Sequence, residues 1–290
     1  MNDIGRCGDF LIGGELRVRR FGYGAMRLTG RGIWGPPADL ENARQVLRRV
    51  VELGIALIDT ADVYGPRCNE QLIREALAPY PIGLVIATKG GMERSGRGTR
   101  ENLGFTRNAT PAHLRAAVER SLADLGLETI DLYQLHRIDP AIPLEETMGA
   151  LKELRDAGKI RHIGMSQVNV VELERARAVV EIATVQNLYN VTTRDSDPVL
   201  AYCAANGLGF MPYWPTGGGD LASAEAIAVI AARFGATPAQ IALAWLIQRS
   251  PVILPIPGTS SLAHLQENVA ACSIELGAED IAALDRLGSA

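Results

Sequence analysis

Short apolar runs alternate with amphipathic stretches along most of the chain. The runs are apolar at nearly every position, which is typical of parallel strands buried on both faces. Eight such strands are predicted, at 21–26, 56–59, 84–89, 130–136, 161–166, 183–186, 208–212 and 252–256.

The stretches between these runs carry helix signals. Thr110 is a good N-cap, Pro111 suits a first helical turn, and Gly126 ends the segment. Similar patterns predict helices over 41–53, 69–78, 143–157, 170–179 and 197–206. An eightfold repeat of strand and helix predicts an α/β fold, a closed (β/α)8 TIM barrel.

Some segments lie outside the eightfold repeat. Residues 9–19 predict an N-terminal β-hairpin that turns at Gly13 and Gly14, and extra helices are predicted near 237–249 and 278–287. No GxGxxG follows an early strand, which disfavours a Rossmann sheet. No linker or shift in composition divides the chain, so residues 1–290 are predicted to form a single domain.

Composition excludes some partners. A length of 290 residues suits one α/β barrel, and a net charge of −4 offers no strong field for nucleic acid or an acidic membrane. The N-terminus lacks the pattern of a secretory signal, and no apolar stretch reaches the roughly 20 residues of a membrane span. We therefore expect a cytoplasmic protein without nucleic-acid or membrane partners. The sequence contains no heptad repeat, so it does not predict an oligomeric state.

The cysteines and histidines are scattered. Cys7, Cys68, Cys203 and Cys272 show no CxxC spacing and are predicted to be reduced, structural thiols, which also fits a cytoplasm. The four histidines lack paired spacing, so no metal site is expected.

Polar, titratable residues follow three neighbouring predicted strands. Asp59 and Tyr64 follow the second strand, Lys89 ends the third, and His136 ends the fourth. Each alone has an ordinary explanation as a turn, packing, strand-end or structural residue. Because strand ends converge at the mouth of a barrel, their joint placement favours an active site.

These four side chains suit reduction of a carbonyl. A carbonyl that accepts hydride becomes an alkoxide and needs a proton as it forms. A phenol with a pKa near ~10 is a weak acid, and a neighbouring ammonium lowers that pKa. We expect Asp59 to hold Lys89 beside Tyr64, Tyr64 to donate the proton, and His136 to orient the carbonyl oxygen.

The chain resembles the aldo-keto reductases over nearly its whole length. The matching blocks are 58–65 (IDTADVYG), 87–89 (ATK), 131–136 (DLYQLH), 158–166 (GKIRHIGMS) and 256–268 (IPGTSSLAHLQEN). The resemblance implies an NADPH-dependent reductase of a small aldehyde or ketone. It also implies that Asp59, Tyr64, Lys89 and His136 form the catalytic tetrad.

The resemblance further implies that NADP(H) lies extended across the barrel mouth. Ser166 and Gln186 would bind the nicotinamide carboxamide, Tyr213 would stack on its ring, and Gln167 stands where an Asn is usual. The other implied cofactor contacts are Gly24, Ala25, Met26, Trp214, Pro215, Gly217, Ile256, Gly258, Thr259, Ser260, His264, Glu267 and Asn268. The run 217–219 is either a close backbone approach to the pyrophosphate or a plain flexible loop.

The adenine end departs from many relatives. Gly258 stands where a Lys is common, and His264 stands where an Arg often contacts the 2′-phosphate; His264 is alternatively an ordinary exposed helix residue. Bidentate recognition of phosphate by Arg is therefore unavailable at that position. We expect a preference for NADPH with some tolerance of NADH.

Residues 24–30 and 32–37 resemble a bacterial pyridoxal-reductase-like branch of the family. That likeness implies pyridoxal or a related aromatic aldehyde as substrate, in a pocket formed by Trp34, Tyr64 and His136. A buried core position is the alternative for Trp34, and Trp214 is expected to narrow or reshape the pocket.

Two other functions are compatible with parts of the sequence. A cofactor-binding regulatory or sensor protein with little turnover, similar to certain potassium-channel β subunits, would not need all four tetrad residues. Another barrel enzyme, a lyase or a metal-dependent hydrolase, would need clustered ligands that the four histidines do not supply. The intact tetrad favours the reductase.

Overall fold

The computed structural model describes residues 3–99, 102–217 and 225–288. Its strands, in chain order, are β1 (Asp9–Ile12), β2 (Leu16–Arg19), β3 (Tyr23–Gly24), β4 (Leu57–Asp59), β5 (Val85–Gly90), β6 (Met92–Arg94), β7 (Phe105–Arg107), β8 (Ile130–Leu135), β9 (Ile160–Ser166), β10 (Thr184–Gln186) and β11 (Gly209–Phe210). Seven of the strands in this described part form one parallel sheet in the order β11-β10-β9-β8-β5-β4-β3. The order follows the chain, as a (β/α)8 barrel requires.

The eighth barrel segment closes the sheet without forming a regular strand. Phe210 N donates to Val252 O at 2.8 Å on one side, and Gly22 N donates to Pro255 O at 2.9 Å on the other. Pro255 and Pro257 have no N–H to donate, so a continuous ladder cannot form here. The prediction at 252–256 is correct in position, but the segment is extended chain with one isolated bridge, between Phe210 and Ile253.

Helices follow the barrel strands. Their bounds are α1 (Leu40–Glu52), α2 (Cys68–Leu77), α3 (Pro111–Leu125), α4 (Leu144–Asp156), α5 (Val170–Arg177), α6 (Asp197–Asn206), α7 (Glu225–Phe234), α8 (Pro238–Arg249), α9 (Leu262–Ala270) and α10 (Ala278–Asp285). Thr110 caps α3 by accepting a hydrogen bond from His113 N, and Gly126 ends it with φ 67°. The predicted caps of α3 and the extra helices α8 and α10 are confirmed.

The predicted N-terminal hairpin is confirmed and closes the amino end of the barrel. β1 and β2 pair antiparallel, and Gly13 and Gly14 form the turn with φ of 59° and 78°. Such positive φ values favour glycine because it has no Cβ to clash. Ile12 and Val18 pack against the inward-facing side chains of the barrel strands. The amino end is therefore apolar and filled.

A second hairpin, which the sequence analysis did not predict, follows the third barrel strand. β6 and β7 pair antiparallel, with Met92 opposite Arg107. Met92 and Phe105 pack against the cluster that contains Tyr64. This hairpin therefore covers part of the carboxyl end of the barrel.

The cysteine prediction is wrong for one pair. Cys7 and Cys272 form a disulfide across a sequence separation of 265 residues, whereas Cys68 and Cys203 are free. The bond joins the N-terminal 3-10 turn Asp3–Cys7 to the turn Ala271–Ser273, which pack together. Spacing could not reveal this pairing, because only barrel closure brings the two turns together. The disulfide also removes the argument from reduced thiols for a cytoplasmic location.

Within the described residues, no single helix is long and apolar enough to cross a bilayer. Two consecutive helices, Ala226–Phe234 and Pro238–Arg249, are long and apolar enough only when they are taken together, and they meet at a bend of 92°.

Removing the disulfide should lower stability. We expect the double variant Cys7→Ser/Cys272→Ser to lose about 2–4 kcal/mol of unfolding free energy, because a cross-link that closes a long loop restricts the unfolded chain. Urea unfolding of the oxidised protein measures the loss, and Cys68→Ser, which removes an unpaired thiol, is the control. Equal unfolding midpoints for the double variant and the parent would contradict the structural role of the bond.

Candidate active site

The strand register places the four predicted tetrad residues at the carboxyl end of the barrel. Asp59 is the last residue of β4, Lys89 is the second-to-last residue of β5, and His136 directly follows β8. Parallel pairing sets Asp59 beside Ala87, and Lys89 beside Gln134. Tyr64 lies on the loop after β4, whose backbone is tied down where Thr60 N donates to Ala87 O at 2.8 Å. The structure thus brings all four together.

Lys89 is the centre of this group. Its Nζ lies 2.6 Å from Asp59 Oδ2, 2.8 Å from Thr60 O and 3.5 Å from the Tyr64 hydroxyl. The Lys89 side chain is fully buried. Burial lowers its pKa, but the charge of Asp59 and the contact with Tyr64 outweigh burial, and the net pKa is raised. Lys89 therefore remains an ammonium.

The second oxygen of Asp59 is also satisfied. Asp59 Oδ1 accepts hydrogen bonds from Gln134 Nε2 at 3.0 Å and from Gln186 Nε2 at 2.8 Å. Side chains from β4, β5, β8 and β10 thus converge on one buried carboxylate. Sequence reasoning missed Gln134, although a lone amide within the apolar run of β8 was a usable signal.

Tyr64 is held in its protonated form. Burial raises the pKa of the phenol, and the charge of Lys89 only partly offsets this. The expectation of a net lowered pKa is therefore wrong in this structure, because desolvation outweighs the ammonium. A phenol that keeps its proton at neutral pH is the form a proton donor needs.

His136 is neutral and lies against Tyr64. Burial, together with the charges of Lys89 and Arg137, holds the pKa of His136 well below its usual range. The two rings meet edge to face, with centroids 6.0 Å apart and planes at 84°. A neutral imidazole carries one N–H donor and one acceptor, so His136 can donate to a carbonyl oxygen.

Asn69 connects the Tyr64 loop to the first barrel strand. The buried side chain accepts a hydrogen bond from Thr60 Oγ1 at 2.7 Å and donates to Ala25 O at 3.0 Å and Leu28 O at 3.1 Å. Met26 lies in the backbone segment between these two carbonyls and packs against the cluster that contains Tyr64. In the sequence, an Asn in the first turn of a helix suggests only a cap, so this role had no distinct signal.

The residues assigned to the nicotinamide end lie beside the tetrad. Ser166 and Gln186 end β9 and β10 and are buried. The Gln186 amide N–H group donates to Asp59, which leaves its Oε1 as an acceptor. Gln167 adopts φ 57°, and its Oε1 accepts from Leu188 N at 3.0 Å, so this side chain holds the neighbouring loop. Tyr213 is half-buried and forms a bridge to Leu188.

The loop after Tyr213 is only partly described. Trp214 is 54% exposed, and its carbonyl accepts a hydrogen bond from Asn190 Nδ2 at 3.2 Å. Pro215 is buried, and Gly217 adopts φ 59°. Residues 218 and 219 of the predicted glycine run lie outside the described residues.

The adenine-end segment packs directly on the first barrel strand. A Cβ on Gly24 would lie 2.7 Å from Ile256 O, and one on Gly258 would lie 2.6 Å from Gly24 O. Close backbone packing therefore requires glycine at 258, which explains the absence of a larger residue there. Tyr23 also holds this segment, because its hydroxyl donates to Thr259 O at 2.6 Å.

The start of α9 presents polar groups to solvent. Ser261 caps the helix by accepting from His264 N at 3.3 Å, and Ser260, His264 and Glu267 are exposed, whereas Asn268 is half-buried. The side chain of Arg27 passes 3.6 Å from the Cβ position of Gly258. The atom in contact is Cγ, so the stem of Arg27, an exposed residue, lies beside this segment.

Comparison with known proteins agrees with this geometry. The model of the aldo/keto reductase family matches residues 20–289. A pyridoxine 4-dehydrogenase of Escherichia coli is 42% identical over 94% of this chain and 96% of its own length. The chain belongs to the aldo/keto reductase family.

Other known proteins are similar over nearly the whole chain. An uncharacterised oxidoreductase of Schizosaccharomyces pombe is 44% identical over 99% of this chain and 92% of its own. A Klebsiella pneumoniae aldo-keto reductase, solved in complex with NADPH, superposes with TM-score 0.81 at 29% identity, covering 96% of this chain and 94% of its own. A glycerol dehydrogenase from Gluconobacter oxydans gives TM-score 0.85 at 26% identity, covering 97% and 95% of the two chains.

In this family member, the wall beside Tyr64 is apolar. Met26, Ile33, Met92 and Phe105 pack against the cluster that contains Tyr64. Trp34 instead lies over Arg94, with 5.2 Å between its ring centre and the guanidinium carbon. Ile33 therefore belongs to the packing around the Tyr64 cluster, whereas the half-buried Trp34 packs on Arg94.

Two buried carboxyl groups lie close together, Asp62 on the Tyr64 loop and Glu70 on α2. Thr88 Oγ1 donates to Glu70 Oε1 at 2.6 Å, and burial raises the pKa of Glu70 to about 7. Burial and the nearby charge of Glu70 also raise the pKa of Asp62 well above its usual range. The folded protein therefore binds protons more tightly here than the unfolded chain does.

This difference makes stability depend on pH. Preferential protonation of Glu70 in the folded state adds to the free energy of unfolding. This addition is complete below pH 4.5, the ordinary pKa of Glu, and is lost as the pH rises to about 7. The loss should be on the order of 3 kcal/mol. We expect Glu70→Gln to flatten the fall in unfolding free energy over this range, as measured by urea unfolding.

The control is Glu75→Gln, an exposed position on the same helix. An unchanged pH dependence in Glu70→Gln would show that the raised pKa is not a property of the folded protein.

Proposed function

We propose that the protein reduces a small aldehyde or ketone with NADPH, and that Tyr64 donates the proton. The observation that carries this proposal is the buried Lys89 ammonium, bonded to Asp59 at 2.6 Å and lying 3.5 Å from the Tyr64 hydroxyl, beside a neutral His136. NADPH would supply the hydride. The complex of the Klebsiella pneumoniae relative with NADPH supports this choice of cofactor.

Each tetrad residue has a defined task. The neutral imidazole of His136 donates a hydrogen bond to the carbonyl oxygen and so orients and polarises the substrate. As negative charge develops on that oxygen, Tyr64 transfers its hydroxyl proton to it. The adjacent Lys89 ammonium stabilises the phenolate left behind. Asp59 keeps Lys89 charged and fixed between the hydrogen-bonding groups.

The donor set fits a dinucleotide. Ser166 Oγ and Gln186 Oε1 offer polar partners for a carboxamide, and the half-buried ring of Tyr213 offers a stacking surface. At the other end, Ser260 and the start of α9 suit a phosphate, because helix N-termini present free N–H groups. The stem of Arg27 passes beside Gly258, and in this proposal its guanidinium reaches the phosphate bound there.

The substrate class follows from the pocket wall and the relatives. The apolar side chains of Met26, Ile33 and Phe105 suit an aromatic or aliphatic aldehyde. The pyridoxine 4-dehydrogenase of Escherichia coli supports pyridoxal or a related aromatic aldehyde as the first compound to test. In this proposal residues 1–290 act as one catalytic unit.

Tyr64→Phe tests the proton donor. We expect turnover with pyridoxal or benzaldehyde to fall by about 10²–10⁴-fold, the usual contribution of a positioned acid. The Kd for NADPH should change little, because the phenol does not hold the cofactor in this proposal. Stopped-flow oxidation of NADPH measures the first quantity, and quenching of tryptophan fluorescence measures the second.

Equal turnover in Tyr64→Phe would contradict the assignment of the proton donor. If the unaltered protein binds NADPH but oxidises it with none of a broad panel of aldehydes and ketones, the sensor function replaces the reductase.

The second expectation concerns the choice of cofactor. We expect NADPH to bind more tightly than NADH, and Arg27→Gln to weaken NADPH binding by about tenfold with a smaller effect on NADH, because a charge-assisted contact to phosphate is lost. Fluorescence titration measures both affinities, and Arg48→Gln, an exposed position on α1, is the control. Equal losses for both cofactors would remove Arg27 from recognition of the 2′-phosphate.

A further inference from the structure

Arg137 lies where the cofactor and substrate sites meet. It follows His136 in the chain, and its Nη1 donates to His136 O at 2.8 Å and to Ser166 Oγ at 2.9 Å. The guanidinium carbon is 5.8 Å from the ring centre of Tyr213. The side chain therefore extends from the end of β8 across the barrel mouth.

The charge of Arg137 has no carboxylate partner within the described residues. Its contacts there are the His136 carbonyl, the Ser166 hydroxyl, and the ring and hydroxyl of Tyr213. By contrast, the charge of Lys89 is matched by Asp59. An anionic ligand at this position would complete an ion pair with a half-buried cation.

Arg94, which also lies at the barrel mouth, has a structural role and serves as a comparison. Arg94 donates to the carbonyls of Gly32, Ile33, Arg97 and Leu103, so its donors hold two loops together. Two hydrogen bonds of Arg137 use Nη1, a further one reaches the Tyr213 side chain, and none of its donors reaches a carboxylate in the described part of the chain. Arg137 thus retains donors for a ligand.

The guanidinium also lies close to the reacting groups. Burial is the main cause of the raised pKa of Tyr64, and Arg137 is among the positive charges that oppose it. Arg137 likewise contributes, after burial and Lys89, to the lowered pKa of His136. Its field therefore acts on the two side chains that contact the substrate carbonyl in the proposed reaction.

We propose that Arg137 determines substrate specificity by binding an oxyanion, a carboxylate or an ionised phenol, carried next to the reacting carbonyl. The inference depends on the proposed function, because it names the class of carbonyl compound that this site reduces. The apolar wall of Met26, Ile33 and Phe105 accommodates the ring. The guanidinium fork binds the oxyanion through paired N–H donors.

A matched pair of substrates tests the proposal. In 3-formylbenzoate the anion is present, and in its methyl ester the shape is similar but the charge is absent. We expect kcat/KM for the acid to exceed that for the ester by about 10- to 100-fold, as a charge-assisted hydrogen bond allows. Arg137→Met should abolish this ratio, mainly by raising KM for the acid, and Arg137→Lys should keep part of it.

Two controls separate specificity from other roles. The Kd for NADPH in Arg137→Met measures any effect that passes through Ser166 and Tyr213, and the proposal requires this Kd to change less than KM for the acid. Arg107→Met removes an exposed charge from the neighbouring hairpin strand β7 and should leave the acid-to-ester ratio unchanged.

Three results would overturn the proposal: no preference for the acid in the unaltered protein, an equal loss for both substrates in Arg137→Met, or a loss confined to NADPH binding. In each case reduction of the ester shows that the proposed function stands. If neither compound is reduced although NADPH binds, the proposed function fails. Fluorescence titration with 3-formylbenzoate, with and without Arg137, then decides separately whether the anion site exists.

Discussion

The buried ion pair between Asp59 and Lys89 is the constraint on which the candidate site depends. Two charges removed from water are stable only when each is paired and its remaining hydrogen-bonding capacity is filled. Lys89 Nζ contacts Asp59, Thr60 O and the Tyr64 hydroxyl, and Asp59 Oδ1 accepts from Gln134 and Gln186. Since these groups come from β4, β5, β8 and β10, a shift in strand register would leave a buried charge unpaired.

The amino end of the barrel is packed with apolar side chains, whereas the carboxyl end carries the candidate active site. At the amino end, the β1–β2 hairpin inserts Ile12 and Val18 against the apolar barrel interior, so that end is closed. At the carboxyl end, buried polar groups are held by one another and by loops that Asn69 and Arg94 tie together. The same low-dielectric interior raises the pKa of Tyr64 and lowers that of His136. Each group is consequently kept in the protonation state that proton donation and carbonyl orientation require.

The sequence predicted the barrel strands, the cap of α3 and the placement of four polar residues at strand ends, because each leaves a local signal: continuous hydrophobicity, Thr-Pro at a helix start, or a titratable residue at a strand end. The eighth strand was correct in place but irregular, since two prolines remove ladder donors. The Cys7–Cys272 bond and the contact of Gly258 with Gly24 join distant segments, so no local pattern carries them. The predicted direction of the Tyr64 pKa shift was wrong, because residue spacing does not show how strongly burial opposes the effect of a neighbouring charge.

The most direct test of the account removes the buried charge pair as a unit. In Asp59→Asn/Lys89→Met no unpaired carboxylate remains, so the variant should fold and bind NADPH. We expect single-turnover reduction of benzaldehyde to slow by more than about 10²-fold, because the phenolate of Tyr64 loses its stabilising ammonium. A folded, NADPH-binding variant that reduces benzaldehyde at the parent rate would contradict the account.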